Sequence, residues 1–403
     1  MAVYLLPDWW YGLSEDICEW PLLPVRDATW TTFQKAIGYY RERHWQGCFD
    51  DGAIARYHKA SSEPGWEGEV PEAQLIAAYL TGESQDYELA IRSAYHLADV
   101  GVDKTRYAVR MHAYAPPAQS LPMQRTMGMV AAYLETGDPY LVDTARSVSE
   151  SAYWWDRQNW PRRSYGRDAA YIRSLIYLHR YLGDRHDLQR AREALHRLVS
   201  RQLPDGSFAD QGDTTGVHAV MNLIVKPWMG CVATEAMLDY LAWEDDPVIE
   251  AAAMKYCRWL LACRVKGKDG RHWTYQVSHA GQHTTYRFDG TPESLDHDYW
   301  QVEYLAKLMG WAALRTADPA FYQAWYEAYR QSAENPPLWD HGANKIVANL
   351  PWQRQQIWGA VLTSAGVVIH PRTDLAADLR EVVVSAPGGP VRLSVAEARK
   401  PKR

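Results

Sequence analysis

Three consecutive residues, Asp296, His297 and Asp298, place two carboxyl groups and an imidazole at the start of a predicted helix. A neighbouring negative charge raises the pKa of a carboxyl group, which keeps one member of such a set protonated. Hydrolysis of a glycosidic bond needs two carboxyls, one as general acid and one as base or nucleophile. We predict Asp298 as the general acid. The predicted partners are Asp168, Glu69 and Glu72.

The alternative for each of these carboxylates is a structural one. Asp and Glu are ordinary N-cap and first-turn residues of helices, where they accept hydrogen bonds from free backbone N–H groups. The residue types alone leave catalysis and capping both open.

A second chemistry, β-elimination on a uronate, is open to other residues of the chain. It needs a base that removes the proton next to the carboxylate and a cation or amide that neutralises the carboxylate. The predicted bases are His112, Tyr114 and Tyr165. The predicted carboxylate partners are Arg125, Arg167, Asn222 and Lys226. Because the same cations suit a hydrolase of acidic sugars, the residue types do not distinguish hydrolysis from β-elimination.

The aromatic composition is consistent with a sugar ligand, since 19 Trp and 26 Tyr stand against 5 Phe. An indole or phenol ring offers an apolar plate for the face of a sugar and a polar group beside it. Packing between two helical layers is the alternative for each of these rings. The predicted substrate-binding residues are Trp66, Tyr114, Arg125, Arg167, His218, Lys226, Trp228, His297, Trp300 and Trp352.

A recurring turn indicates which elements position these residues. Segments 79–83, 133–138 and 181–184 each read Tyr-Leu, then Gly, then an acidic residue, with looser copies at 240–245 and 314–318. Gly just past a periodic helix is a C-cap, and the acidic residue caps the next helix. Repetition at a nearly fixed period indicates a repeat architecture. Each copy therefore predicts the tight turn of a helical hairpin.

The segments around the turns predict an all-α fold. Apolar helices are predicted over 71–80, 122–135, 168–182, 228–242 and 298–315, and amphipathic helices such as 186–202 follow the turns. Helices over 28–44 and 351–366 complete six hairpins, which predicts an (α/α)6 toroid over residues 1–366, with an open solenoid as the alternative. A short β-hairpin insertion is predicted over 270–290. Residues 367–403 are predicted as a small β-appendage with a basic tail.

The connections differ in length on the two faces of the predicted toroid. Links of about four residues alternate with long ones over 99–121, 156–167, 203–227, 264–297 and 332–350. All the long links fall over the N-termini of the apolar helices. Functional residues concentrate in loops on a rigid scaffold, and helix N-termini favour anions. We therefore expect one mouth that collects the residues named above.

This arrangement over residues 28–366 resembles the six-hairpin toroid carbohydrate enzymes. These include glycoside hydrolases, unsaturated-uronyl hydrolases, sugar epimerases and the helical domains of polysaccharide lyases. The resemblance rests on architecture, so it implies a sugar substrate and assigns no catalytic residue. We expect a glycoside hydrolase acting on an acidic, uronate-containing oligo- or polysaccharide, with a polysaccharide lyase as the alternative.

Two further classes stay open. Residues 202–208 resemble the Gln-x-x-Asp-Gly-aromatic turn of terpene cyclase toroids, although the Asp-rich acid motif of those enzymes is absent from the sequence. A non-catalytic sugar-binding protein is the other alternative. No nucleotide-binding or zinc-protease motif is present, and we expect neither a cofactor nor a metal.

Composition limits partners and compartment. A net charge of −6 without a basic block argues against nucleic acid, and no long apolar run predicts a membrane span. Five cysteines lack any C-x-x-C spacing, and Cys231 and Cys257 are predicted as buried thiols. The first residues do not read as a secretory signal, so the expectation is a cytoplasmic protein. We expect a monomer or a weak homodimer.

Overall fold

The structure is a computed structural model. It describes residues 71–72, 74–75, 78, 82–109, 121–159, 166–208, 224–267, 270–273, 277–278, 302–316, 318–321, 323–325, 327, 382–386 and 389–393. The α-helices of this part are α1 Ser84–His96, α2 Met127–Thr136, α3 Pro139–Gln158, α4 Ala170–Leu182, α5 Arg185–Val199, α6 Pro227–Leu241, α7 Pro247–Ala262 and α8 Val302–Thr316. Further helical residues are 71–72, 74–75 and 78, here called the first helical segment, and 319–321, 323–325 and 327.

The helices alternate between two rows, as the sequence predicts. The inner row contains α2, α4, α6 and α8, which pack side by side in chain order. The outer row contains α1, α3, α5 and α7: α1 packs on α2, and each of the other three packs against the two inner helices that flank it in sequence. The predicted alternation of apolar and amphipathic helices is confirmed for these helices. The predicted helices over 28–44 and 351–366 lie outside the described residues.

Burial explains the difference in composition between the rows. Every residue of α6 from Pro227 to Tyr240 is buried, whereas α5 buries only one stripe, with Leu188, Leu195 and Leu198 among its members. An inner helix is covered on several sides, so it needs apolar or internally paired side chains all around. An outer helix needs one apolar face and leaves the other to solvent.

The recurring glycine turn has the predicted geometry. Gly82, Gly137 and Gly183 have φ angles of 73°, 69° and 75°, the left-handed region that glycine adopts without strain. Each donates its N–H to the carbonyl four residues earlier at 2.8 Å, which ends the inner helix. Asp138 and Asp184 then accept the backbone N–H two residues ahead at 3.0 and 2.9 Å and so cap α3 and α5.

The looser copy near residue 316 is confirmed by its hydrogen bonds. Thr136 bonds the carbonyl of Ala132 at 2.8 Å and accepts the N–H of Asp138 at 3.2 Å. Thr316 makes the same pair of bonds, at 2.7 Å to Ala312 and 3.2 Å from Asp318. The turn after α8 therefore repeats the turn after α2.

The predicted start of α2 is wrong. A helix was expected from residue 122, but Leu121–Met123 forms a single 3₁₀ turn and α2 begins at Met127. The Gln124 side chain instead bonds to Val109 and the Thr126 N–H bonds to Ser174, so these residues do not extend the helix backwards.

The predicted hairpin over 270–290 is wrong for the strands that the structure describes there. β5, Gly270–His272, pairs antiparallel with β4, Val265–Gly267, and β6, Val277–Ser278, pairs with β3, Ile224–Val225. The second half of that prediction, residues 279–290, lies outside the described residues. A further short antiparallel pair joins β1, Val102–Asp103, to β2, Ala108–Val109.

The C-terminal β-rich runs form the predicted pair. β7, Val382–Ala386, and β8, Gly389–Leu393, are antiparallel with Val384 opposite Val391. Over the part of the chain that the structure describes, none of the helices is long and apolar enough to cross a membrane.

Candidate functional site

The structure describes part of the predicted site. Ten predicted residues lie outside the described residues: Trp66, Glu69, His112, Tyr114, Tyr165, His218, His297, Asp298, Trp300 and Trp352. Asn222 lies outside them as well. The side chains of Arg125, Asp168, Lys226 and Trp228 and the backbone of Arg167 are described.

The described site residues come from three segments that are neighbours. The turn Leu121–Met123 packs on the 3₁₀ turn Arg167–Ala169, and the latter packs on α6. Gly166 has a φ of 81°, and a Cβ there would lie 2.8 Å from the carbonyl oxygen of Met229. Because only glycine permits this close approach, the segment that carries Asp168 rests directly on the first turn of α6. The entries of α2, α4 and α6 are thus neighbours.

Arg125 is a buried cation with an uncommitted donor. Its exposed fraction is 2%, its Nε donates to the carbonyl of Pro122 at 3.3 Å, and Nη2 has no hydrogen-bond partner. Within the described residues it forms no ion pair. A buried guanidinium is energetically unfavourable unless an anion supplies its counter-charge. This side chain is therefore a candidate carboxylate-binding group.

Hydrogen bonds on both sides of Arg125 fix its backbone. The Gln124 amide accepts the N–H of Val109 at 2.8 Å and donates to its carbonyl at 3.1 Å, as a strand neighbour would. The backbone N–H of Thr126 donates to Ser174 Oγ on α4 at 2.9 Å. Gln124 is thus committed to β2, and Arg125 is held between two anchored residues.

Lys226 and Trp228 are both buried at the start of α6. The opposite side of this helix faces the outer row, because Gly230 packs against the ring of Tyr256 on α7. Glu235 lies seven positions after Trp228 and so shares its face of the helix. Trp228 therefore lies on the side of α6 that carries Glu235, opposite the side that packs on α7, and is buried there.

Four charged side chains that sequence reasoning missed form a buried group on three inner helices, here called the inner ion cluster. Arg173 on α4 reaches Glu235 with Nη1 at 2.6 Å and donates from Nε to the Asp239 carboxylate. Lys307 Nζ on α8 lies 3.5 Å from both Glu235 Oε1 and Asp239 Oδ1. Glu235 has an exposed fraction of 0%. Two cations and two carboxylates thus compensate one another where α4, α6 and α8 meet.

A buried tyrosine–carboxylate pair lies on the same side of α4. Tyr177, one turn after Arg173, donates its hydroxyl hydrogen to Glu72 on the first helical segment. Gly128 in the first turn of α2 lets that segment approach: a Cβ at 128 would lie 2.8 Å from Pro71 Cβ and 3.0 Å from the Glu72 nitrogen. Glu72 was predicted as a partner acid, whereas Tyr177 was not singled out.

These groups are all connected through α4. The bond from Thr126 to Ser174 joins the segment that carries Arg125 to α4, one residue after Arg173. Tyr177 follows within one turn. The Arg125 side chain, the inner ion cluster and the tyrosine–carboxylate pair are here together called the polar layer.

A sequence signal for this layer exists in retrospect. Glu235 and Asp239 stand four residues apart in a helix whose other residues are mostly apolar, and Arg173 interrupts a run of buried residues in α4. Charged residues are rarely fully buried unless they are paired or functional. Spacing alone did not identify their partners, because these come from other helices.

Metal chemistry has no support within the described residues. No group of three or more His, Cys, Asp or Glu side chains there is arranged to hold a metal ion. Cys231, Cys257 and Cys263 are buried free thiols, as predicted for the first two, and burial raises the pKa of each thiol. Thiolate chemistry at these three positions is therefore disfavoured.

Comparison with known proteins gives a fold likeness. No protein-family model and no curated protein matches the chain. A polysaccharide lyase matches with a TM-score of 0.54 and 13% identity over 82% of this chain and 97% of its own. A cellobiose 2-epimerase from Bacillus thermoamylovorans matches with a TM-score of 0.49 and 12% identity over 66% and 75%. The Lin0763 protein from Listeria innocua matches with a TM-score of 0.47 and 14% identity over 76% and 86%. The likeness to the lyase shows that the two chains share a fold.

Proposed function

We propose that this protein is a carbohydrate-active enzyme that cleaves uronate-containing polysaccharides by β-elimination, within a ring of six helical hairpins. The observation that carries the proposal is Arg125, a guanidinium buried at the entry of α2 whose Nη2 is left without a partner. A uronate carboxylate bound there would supply the missing counter-charge.

The chemistry of β-elimination explains why such a cation is useful. The proton on C5 of a uronate is acidic only when the charge that develops on the adjacent carboxylate is stabilised. A planar guanidinium can donate two parallel hydrogen bonds to a carboxylate, and burial strengthens them. Arg125 meets this requirement better than Arg173, because two carboxylates already compensate Arg173.

Lys226 and Asp168 extend the proposed site from neighbouring segments. Lys226 precedes α6 and adds a second cation near the entries of the inner helices. Trp228 is buried on the same side of α6 as Glu235, and we assign it to the wall of the site. The predicted residues Arg167, Tyr114, Trp300 and Trp352 remain assigned to substrate binding as predictions from the sequence.

The fold likeness supports a saccharide substrate. The structure with the TM-score of 0.54 is a polysaccharide lyase, and we carry its substrate class to this chain as part of the proposal. A shared fold does not determine a reaction, so the reaction is argued from Arg125 and not from the likeness.

Hydrolysis, which the sequence favoured, is the second candidate, and Asp168 is the observation behind it. This carboxylate is half-buried on the turn that rests on α6. In this mechanism Asp298 is the general acid and Asp168 or Glu69 its partner, with Arg125 binding the same uronate.

A product assay separates the two reactions. The full chain is incubated with polyglucuronate, polygalacturonate, alginate and hyaluronan, and ultraviolet absorbance of unsaturated uronate is followed together with new reducing ends. Elimination predicts both signals in equal molar amounts on at least one polymer. Reducing ends without absorbance would overturn elimination in favour of hydrolysis. The matched control is the same polymer after reduction of its carboxylates, which is expected to give neither signal.

A further inference from the structure

We infer that Tyr177 and Glu72 form the proton-transfer pair of the elimination, with Tyr177 acting on the substrate and Glu72 acting through Tyr177. This inference rests on the proposed function and names residues that it does not use. It is carried by the hydrogen bond between the two side chains and by the contacts that connect both residues to the segment carrying Arg125.

The hydrogen bond has the direction that this role needs. The Tyr177 hydroxyl donates to Glu72 Oε1, so the oxygen of Tyr177 keeps lone pairs for a second proton. When Tyr177 removes a proton from carbon, its own hydroxyl proton can pass to Glu72. The carboxylate is therefore placed to increase the basicity of the phenol at the moment of transfer.

The position of this pair distinguishes it from other tyrosine–carboxylate pairs of the described residues. Each of those pairs includes a residue of the outer row: Tyr95 of α1 bonds Asp138, Tyr140 of α3 bonds Asp99, Tyr153 of α3 bonds Glu193 of α5, and Tyr171 of α4 bonds Asp156 of α3. The bond from Tyr177 to Glu72 instead joins α4 to the first helical segment, which lies against the first turn of α2.

Two contacts bring this pair next to the proposed carboxylate site. Glu72 lies against Gly128, three residues after Arg125. Tyr177 lies one turn after Ser174, whose Oγ accepts the N–H of the residue that follows Arg125. The C5 proton of a uronate is on the carbon that bears the carboxylate. A base near Arg125 is therefore where the reaction needs it.

The proton balance closes without a co-reactant. The C5–H bond breaks as its proton moves to Tyr177 Oη, and the hydroxyl proton of Tyr177 moves to Glu72. The electron pair left on C5 forms the C4–C5 double bond as the C4–O bond breaks. Glu72 returns its proton to Tyr177, which protonates the departing oxygen, so both side chains end in their starting states.

The test compares Tyr177→Phe with Tyr171→Phe. Tyr177 and Tyr171 both lie on α4, and each variant removes a buried hydroxyl that donates to a carboxylate, but Tyr171 bonds Asp156 of the outer row at 2.8 Å. On a polymer that wild type converts to unsaturated product, Tyr177→Phe is expected to lower kcat by about 10²- to 10⁴-fold with KM little changed. Tyr171→Phe is expected to keep kcat within a few-fold.

A second variant tests the inference if Tyr177→Phe does not fold. Glu72→Gln keeps an oxygen that accepts the Tyr177 hydrogen bond but cannot take up a proton. We therefore expect kcat to fall, and we expect the pH profile of kcat to lose the decrease on its acidic side. If Glu72→Gln keeps the wild-type profile, or if Tyr177→Phe and Tyr171→Phe lose kcat equally, the pair is structural and the inference fails while the proposed function stands. If wild type makes no unsaturated product, the proposed function itself fails.

Discussion

Ser174 on α4 accepts a 2.9 Å hydrogen bond from the backbone N–H of Thr126, the residue just before α2. The first free N–H groups of a helix need such partners, and here a neighbouring inner helix supplies one. The same bond fixes the backbone position of Arg125, which is one residue earlier. A structural contact between two inner helices therefore also sets the geometry of the proposed carboxylate site.

Substitution Ser174→Ala tests this dependence. Removing the hydroxyl leaves the Thr126 N–H buried without its partner, so we expect a loss of about 1–2 kcal/mol in the free energy of unfolding. We also expect KM for a uronate polymer to rise several-fold, since Arg125 loses an anchor. Urea unfolding and steady-state kinetics measure the two effects. Ser147→Ala is the control, because the half-buried Ser147 bonds only within its own helix; equal KM changes in both variants would contradict the dependence.

Substitution Arg125→Met is expected to raise stability. It removes a buried cation without a counter-charge at the cost of one bond to Pro122, so we expect the free energy of unfolding to increase by about 1 kcal/mol. Chemical denaturation of the ligand-free protein measures this. The exposed Arg106→Met control is expected to change by less than about 0.5 kcal/mol. A loss of stability above about 2 kcal/mol for Arg125→Met would mean that an anionic side chain already compensates this residue.

Substitution Arg173→Met is expected to lower stability, in contrast to Arg125→Met. Arg173 is bonded to Glu235 and Asp239, so its removal leaves two buried carboxylates with Lys307 alone, at a cost of about 3–5 kcal/mol. A double-mutant cycle with Glu235→Gln is expected to give a coupling free energy of about 1–3 kcal/mol. Additive effects in that cycle would show that the two side chains do not stabilise each other.

The pH dependence of stability is expected to include a contribution from Asp187 in the first turn of α5. Burial, reinforced by the charge of Asp184, raises the pKa of Asp187 from 3.8 to about 6. The folded state then holds a proton that the unfolded state has lost. Stability should therefore fall as the pH rises from about 4 to about 6 and stay lower above that range.

Variant Asp187→Asn isolates this contribution. The variant is expected to be more stable relative to wild type at about pH 7 than at about pH 4. The difference between the two free energies of unfolding should be larger at the higher pH by up to about 2 kcal/mol. Urea unfolding at the two pH values measures the difference. A difference of the opposite sign would contradict the raised pKa.

The helices and their turns could be predicted because their signals are local. Gly137 and Asp138 each act within a few residues, as C-cap and N-cap, and the 3.6-residue apolar period needs no knowledge of the partner helix. The start of α2 was misplaced because it is decided by the bond from Thr126 to Ser174, which joins residues 48 apart. The strand pairing of β6 with β3 is non-local in the same way.

The candidate site could be predicted only in part, for the same reason. Arg125 was identified by its type at the entry of an apolar helix. What distinguishes it is the missing partner, and that depends on the packing of α2 against α4. The inner ion cluster was missed because Arg173, Glu235 and Lys307 come from three helices that meet only in the folded chain.

Calorimetric titration with a matched pair of ligands tests the central claim most directly. A short uronate oligosaccharide and the same oligosaccharide with its carboxylates reduced to alcohols are titrated into wild type and into Arg125→Met. Wild type is expected to bind the uronate at least about tenfold more tightly than the reduced sugar, and Arg125→Met is expected to lose this preference. Equal affinities for the two ligands in wild type, or an unchanged preference in Arg125→Met, would contradict the assignment of Arg125 to a uronate carboxylate.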